Sequence, residues 1–212
     1  ALERLYFKMQ ADRMENYEGE VCRRVRHIVA VSPSDAEKIR TMFGVSNVSD
    51  IGTGVDIEYF TPAIEAAPSA DLVFVGSMDW MPNIDGVTYF AEEILPLIRQ
   101  QRPDTTVAIV GRTPPPQIAR IAENDPKVIA TGTVPDIRPY LWGSKIAIVP
   151  LRIGSGTRLK IYEAMAARVA VVSTTIGAEG LHVNPQNDIR IADTPSEFAA
   201  QCLQLLSDAD AR

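Results

Sequence analysis

The strongest constraint on the fold is a regular alternation, from residue 71 onward, of short apolar segments with segments of helical periodicity. The predicted strands are 72–76, 106–111, 128–129, 145–151, 169–173 and 189–192. The predicted helices are 83–99, 117–124, 137–142, 157–167 and 195–206. Repeated strand–helix–strand units joined by right-handed crossovers form a doubly wound parallel sheet. We therefore predict an α/β protein with a Rossmann-like sheet covered by helices on both faces.

The first part of the chain has a different pattern. Apolar residues at helical spacing predict one helix over residues 1–26, and a short strand follows over residues 28–31. Ser32 and Pro33 mark the start of a second helix, which we expect Gly44 to end. Because the chain opens inside a predicted helix, we expect it to be a fragment of a longer protein.

Composition excludes several classes of protein. The net charge of −6 argues against a nucleic-acid-binding surface, so we expect no nucleic acid partner. The two cysteines are far apart in the sequence, which favours a reducing cytosol over a disulfide framework. The two histidines have no further ligands at a metal-binding spacing, so we expect no metal and no cofactor. No apolar run approaches the length of a membrane span, and no signal peptide is visible.

Ligands of such sheets bind beyond the carboxyl ends of the strands, so the loops after residues 75, 111, 134, 151 and 173 are the candidate sites. The first of these loops has a single glycine, Gly76, where a dinucleotide fingerprint needs three. The second predicted strand ends in Gly111-Arg112 and not in the acid that would hold a ribose. With no Gly-Lys-Ser/Thr after any strand, the sequence argues against both an NAD enzyme and a P-loop protein.

The loop after Leu151 has the features of an anion site. Its candidate residues are Gly154, Ser155, Gly156, Thr157, Arg158 and Lys160. The glycines allow a ligand to approach the backbone closely, and the helix that follows directs unpaired N–H groups towards the same edge. Two cations in the first turn oppose the helix dipole, and a bound dianion would explain them. We predict that a diphosphate binds here.

Simpler interpretations stay open for the charged residues of this segment. Arg158 and Lys160 could be solvated, with Lys160 paired to Glu163 three residues later. Glu163 stands among apolar neighbours and needs a partner. That partner is either Lys160, a backbone amide or, in a functional site, the two hydroxyls of a ribose.

At these residues the sequence resembles the retaining glycosyltransferases of family 4, or group 1, with the GT-B fold. The resemblance rests on the segments 51–56, 74–77, 132–134 and 155–163. It implies that residues 1–50 are the end of an acceptor-binding first domain with its interdomain segment, and that 51–212 bind the nucleotide-sugar. It also implies that Glu163 binds the ribose, that Val134 lies against the base, and that Gly76 and Ser77 lie near the donor.

Three positions depart from the family pattern. The family motif has two glutamates separated by seven residues, and Ser155 replaces the first of them, which contacts the donor sugar. Ser77 and Asn83 stand where an Arg and a Lys often hold the pyrophosphate, so Arg158 and Lys160 are inferred to replace that charge. Arg168 and Val169 occupy the region of the usual Gly-x-Pro.

The reaction implied by the resemblance transfers a hexosyl group from a nucleoside diphosphate sugar to a hydroxyl with retention. The acceptor would be a sugar or a lipid-linked molecule held by the first domain, in bacterial surface-polysaccharide or glycolipid synthesis. One alternative is a non-catalytic nucleotide-binding module of the same fold, which Ser155 in place of glutamate favours. An epimerase is a further alternative, with Glu179 and His182 as its available acid and base.

Location follows from the same features. We expect a cytoplasmic protein. Helix 1–26 also carries basic residues among aromatic ones, so a peripheral contact with the inner membrane stays open as an alternative. Acids on that helix offset the charge, which favours a solvated helix or one docked on the first domain.

Overall fold

The computed structural model of the chain describes residues 2–62, 70–154, 156–185 and 187–212. Its contacts separate two compact units, one up to Thr53 and one from Gly54 on. The assignment of the first unit to an acceptor domain stays a prediction.

The first unit contains two helices and two short strands. In chain order these are α1 Leu2–Arg24, β1 Ile28–Ala30, α2 Pro33–Phe43 and β2 Val48–Asp50. The strands pair in parallel. The Ser32 hydroxyl accepts the Asp35 N–H at the start of α2, and Gly44 ends that helix with a left-handed φ of 64°. Both ends of α2 therefore lie where the sequence predicts them.

The second unit contains the large core and the main sheet. Its first elements are α3 Ile57–Phe60, β3 Ala70–Val75, α4 Met81–Tyr89, α5 Leu95–Gln101, β4 Val107–Val110, α6 Pro116–Asn124 and β5 Val128–Ala130. The remaining ones are α7 Arg138–Trp142, β6 Ser144–Val149, α8 Leu159–Ala166, β7 Ala170–Ser173, β8 Arg190–Ile191 and α9 Pro195–Ser207.

Among the described residues of this unit, six strands form one parallel sheet in the order β5-β4-β3-β6-β7-β8. This is the strand order of a Rossmann fold, and it confirms the predicted fold class. The chain reverses its direction of winding between β3 and β6, which makes their carboxyl ends the switch point of the sheet. Helices cover both faces, so the central strands are apolar throughout, with Leu72, Val73 and Ile146 fully buried.

The helix predicted over residues 83–99 is interrupted by a change of helical type. A π-helical segment, Phe90–Ile94, joins α4 to α5, and Leu95 donates its backbone N–H to Phe90 O. The cause is Pro96, which has no N–H for the carbonyl four residues earlier and whose ring crowds the preceding turn. The wider π turn accommodates it without breaking the helix.

Candidate functional site

A cavity of about 340 Å³ opens at the switch point, between the carboxyl ends of β3 and β6. Its lining combines the loop after β3, the start of α4 and the segment that leads into α8. The lining residues are Val75, Gly76, Ser77, Trp80, Asn83, Leu151, Thr157, Arg158, Leu159, Lys160 and Glu163. The fold therefore brings Gly76 and Ser77 together with Thr157, Arg158, Lys160 and Glu163.

The glycines of the loop before α8 have backbone conformations that require glycine. Gly154 has a φ of 118° and Gly156 a φ of 88°. A Cβ atom on Gly154 would also collide with the guanidinium of Arg158. Ser155, between them, lies outside the described residues. Neither Gly154 nor Gly156 is among the residues that line the cavity, so the contact of this backbone with a ligand stays a prediction.

The start of α8 differs from the prediction. The helix begins at Leu159 and not at Thr157, and Arg158 occupies its N-cap. Gly156 has a left-handed φ of 88°, and the backbone of Arg158 is still non-helical, with a φ of −93° and a ψ of 78°. The two cations therefore do not share the first turn: Lys160 lies in it, and Arg158 precedes it.

Lys160 reaches the end of β3. Its Nζ donates to Asn83 Oδ1 at 2.9 Å and lies 4.4 Å from the centre of the Phe74 ring. A Cβ atom on Gly76 would come within 2.7 Å of this Nζ, so the glycine makes room for the ammonium. Burial, and secondly the neighbouring charge of Arg158, lower the pKa of Lys160 to about 7, while Glu163 acts in the opposite direction. Lys160 is therefore not a solvated surface cation.

Glu163 lies one turn further along α8, on the wall of the same cavity. Burial raises the pKa of its carboxyl, and Lys160 partly opposes this effect. Within the described residues the carboxylate has neither a hydrogen bond nor an ion pair within 4.0 Å. The simple Lys160–Glu163 ion pair is thus absent, and both carboxylate oxygens are available to a ligand.

A second cavity of about 250 Å³ lies over the ends of β3, β4 and β5. Its lining residues are Val75, Gly76, Ser77, Val110, Gly111, Arg112, Thr133, Val134 and Ile137. The first and second cavities share Val75, Gly76 and Ser77. Val134 therefore lies in a cavity adjoining the one with the cations. The loop after Ser173 lines neither of these two cavities.

Three residues of these cavities have a role that the sequence reasoning missed. The sequence indicates Asn83 only as the replacement of a lysine. In the structure its Oδ1 accepts a hydrogen bond from Lys160, and its Nδ2 donates to Ser77 O at 2.8 Å. Trp80 lines the first cavity with 59% of its surface exposed. Arg112 donates from Nε to Ser77 Oγ at 2.9 Å and forms an ion pair with Asp79. The one available signal in the sequence was the tryptophan in the loop that follows the predicted strand 72–76.

Neither histidine is a lining residue of these two cavities. The His182 N–H donates to the hydroxyl of Tyr162 at 2.9 Å, and His27 Nε2 lies 2.9 Å from Ser49 Oγ. Neither His182 nor Glu179 lines the two cavities, and the epimerase alternative stays untested. Across the described ranges, no cluster of His, Cys, Asp and Glu could hold a metal, and no helix could span a membrane.

Comparison with known sequences identifies the protein family of this chain. The family model described as "Glycosyl transferases group 1" matches residues 69–208. An uncharacterized 44.6 kDa protein in the cps region of Klebsiella pneumoniae is 26% identical over 138 residues. That match covers 62% of this chain and 36% of the Klebsiella protein. The chain thus spans about a third of that relative.

Comparison with solved structures gives similar folds. One similar structure is a mutant of TarM from S. aureus in complex with Fondaparinux, alpha-GlcNAc-glycerol and UDP. It matches with a TM-score of 0.73 and 20% identity, and the match covers 94% of this chain and 40% of the TarM chain. Sucrose-phosphate synthase from Thermosynechococcus elongatus matches with a TM-score of 0.75 and 17% identity. This match covers 94% of this chain and 54% of the synthase chain. HepE from Anabaena, in complex with UDP and glucose, matches with a TM-score of 0.67 and 14% identity. This match covers 87% of this chain and 54% of the HepE chain. At these identities the likeness shows the fold.

Proposed function

The chain belongs to the group 1 glycosyl transferases, and from that premise we propose that it is the nucleotide-sugar-binding half of a retaining hexosyltransferase. One observation carries the proposal: the switch-point cavity combines Arg158 and Lys160 with the unpaired carboxylate of Glu163. Two cations suit a diphosphate, and a carboxylate with two available oxygens suits a pair of ribose hydroxyls. The adjoining cavity, which contains Val134, would hold the base.

The proposed reaction moves a hexosyl group to a hydroxyl of the acceptor with retention at the anomeric carbon. The bond from that carbon to the diphosphate breaks, a bond to the acceptor oxygen forms, and the hydroxyl proton passes to the departing diphosphate. Arg158, Lys160 and the backbone N–H groups near Gly156 would stabilise the charge that develops on the leaving group. These groups supply the electrostatic role that a divalent metal has in other transferases, so we propose that none is required.

The acceptor and the cellular setting belong to the same proposal. The solved relatives are longer than this chain, and we propose that a further domain holds a sugar or lipid-linked acceptor. The cps-region relative supports a role in bacterial surface-polysaccharide synthesis. We propose a cytoplasmic location, with peripheral contact at the inner membrane as the alternative. The proposal includes no nucleic acid partner.

The proposal is tested first by nucleotide binding. We expect UDP, GDP or ADP, or one of their sugars, to raise the melting temperature of the 212-residue chain. A ligand at 100 times its dissociation constant adds about 2.7 kcal/mol to the free energy of unfolding. If no member of this panel stabilises the chain at millimolar concentration, the donor site is wrongly assigned.

A second candidate function is a nucleotide-binding module without activity. It is favoured by Ser155, which stands where the family motif has its first glutamate. Turnover of the stabilising nucleotide-sugar by the full-length protein separates the two functions. Binding without any turnover would favour the inactive module.

A further inference from the structure

The hydrogen-bond and ring partners of the Lys160 ammonium group are neutral, although the charges of Arg158 and Glu163 also act on it. Its hydrogen-bond partner is the Asn83 amide oxygen, and the Phe74 ring lies below it. Among the described residues, Lys160 has no ion pair with a carboxylate within 4.0 Å. A partly buried ammonium without an ion pair binds an anionic ligand favourably, because the ligand supplies the counter-charge.

Asn83 holds this ammonium in a fixed place. Its side chain is buried, with the residue 7% exposed. Nδ2 donates to Ser77 O at 2.8 Å while Oδ1 accepts from Lys160. A carbonyl can only accept and an ammonium can only donate, so the amide has a single orientation that satisfies both. Asn83 thus connects the loop after β3 to α8 through the lysine.

We propose that Asn83 is a positioning residue for the donor diphosphate: it holds Lys160 at the end of β3 while contributing no charge, and the ligand neutralises the ammonium. The proposal rests on the proposed function and adds a role for a residue outside the binding loop. An aspartate at this place would instead neutralise Lys160 within the protein.

The charged groups around Lys160 give this arrangement a dependence on pH. Arg158, just before α8, repels the ammonium, and Glu163, on α8, attracts it. Asn83 from α4 and Phe74 from β3 are neutral. With its pKa lowered to about 7, Lys160 is partly deprotonated at neutral pH without a ligand. A bound diphosphate favours the charged form, so binding should take up a proton and weaken as the pH rises through 7 to 8.

The test compares Asn83→Asp and Asn83→Ala with the parent chain. Inorganic pyrophosphate and the nucleoside diphosphate that stabilises the parent best are titrated calorimetrically at pH 6.5 to 8.5. Buffers of different ionisation enthalpy report the protons taken up. Asn124→Asp, at an exposed position at the end of α6, is the matched control. Melting curves show which variants fold.

We expect Asn83→Asp to bind pyrophosphate about tenfold or more weakly, since the new carboxylate competes with the ligand for Lys160. Proton uptake should disappear in this variant, because Lys160 is charged before binding. Asn83→Ala should lose less affinity and keep the proton uptake. Asn124→Asp should match the parent in both measurements.

Two results would overturn the role of Asn83. One is that both variants bind like the parent. The other is that they lose affinity equally while the pH profile is unchanged, which is the signature of a purely structural residue. Absence of nucleotide binding by the parent chain is a different result, and it contradicts the proposed function itself.

Discussion

At the scale of single residues, the site contains charges that the protein leaves without full compensation. Glu163 is the clearest case, since burial raises the pKa of its carboxyl and no described residue bonds to it. Such a group destabilises the free protein slightly and becomes favourable when a ligand donates hydrogen bonds to it.

Replacing Glu163 with Gln should separate binding from stability. The amide keeps the shape but loses the charge, so we expect nucleoside diphosphate affinity to fall by about 1.5–3 kcal/mol. The melting temperature without ligand should hold, because the buried charge is removed. Calorimetric titration and thermal melting measure the two effects, and Glu123→Gln on the exposed side of α6 is the control. Unchanged nucleotide affinity would contradict the ribose role.

Arg158→Ala and Lys160→Ala should each weaken nucleoside diphosphate binding by about 1.5–3 kcal/mol, because one charged donor is lost while the loop amides remain. Melting without ligand should occur at the same or a higher temperature, since a cation that opposes the helix dipole is gone. Lower stability with full affinity would show that these residues are structural.

Lys160 should also leave a signature in the pH dependence of stability. Its pKa is about 7 in the folded chain and 10.5 for an unperturbed lysine, so the unfolded chain binds more protons between these pH values. The free energy of unfolding should therefore rise with pH from 7 to 9, by at most about 1.4 kcal/mol per unit from this group. Lys160→Met should lack this rise in urea-unfolding curves, whereas Lys8→Met on α1 should keep it. Equal slopes would show that the ammonium is solvated.

At this scale the sequence predicted what lies within one short segment. Arg158, Lys160 and Glu163 follow one another after a strand, so their shared edge could be inferred from the topology. The hydrogen bond from Lys160 to Asn83 could not be inferred from the sequence, because it joins residues 77 positions apart and depends on side-chain packing. The burial of the lysine was missed for the same reason.

At the scale of elements, the loop before α8 depends on two left-handed glycines. Gly156→Ala adds a Cβ that meets no atom within 4 Å, so only the backbone conformation is affected. We expect a loss of about 1 kcal/mol in stability, or a loop that relaxes and binds pyrophosphate several-fold more weakly. Gly52→Ala, where the backbone has no such φ and space is equally open, is the control. An unchanged variant would show that the loop geometry does not matter for binding.

Elements were predicted well where periodicity alone determines them. The strands of the main sheet and the ends of α2 follow from apolar runs and capping residues. The π-helical segment and the late start of α8 were not predicted. The first is a local response to Pro96, and the second follows the non-helical backbone of Arg158. Periodicity averages over such single positions.

At the scale of the whole molecule, the second unit has a core of its own. The buried members of that core run from Phe60 to Leu206. We therefore expect residues 54–212 alone to unfold cooperatively and to bind the nucleoside diphosphate with the affinity of the longer chain. Expression of this fragment, followed by melting and titration, is the measurement. A fragment that folds but binds more weakly would show that residues 1–53 contribute to the site.

The two cavities share Gly76 and Ser77 in their walls. A mutation at this shared wall therefore affects both cavities. A Cβ on Gly111 would collide with the carbonyl of Gly76, so even a small side chain on the base side displaces the peptide that faces the cations. Under the proposed function, we therefore expect base preference and phosphate affinity to covary in any library that varies Gly76, Ser77 or Gly111. A search for a new base is better confined to Thr133, Val134 and Ile137, which touch one cavity alone.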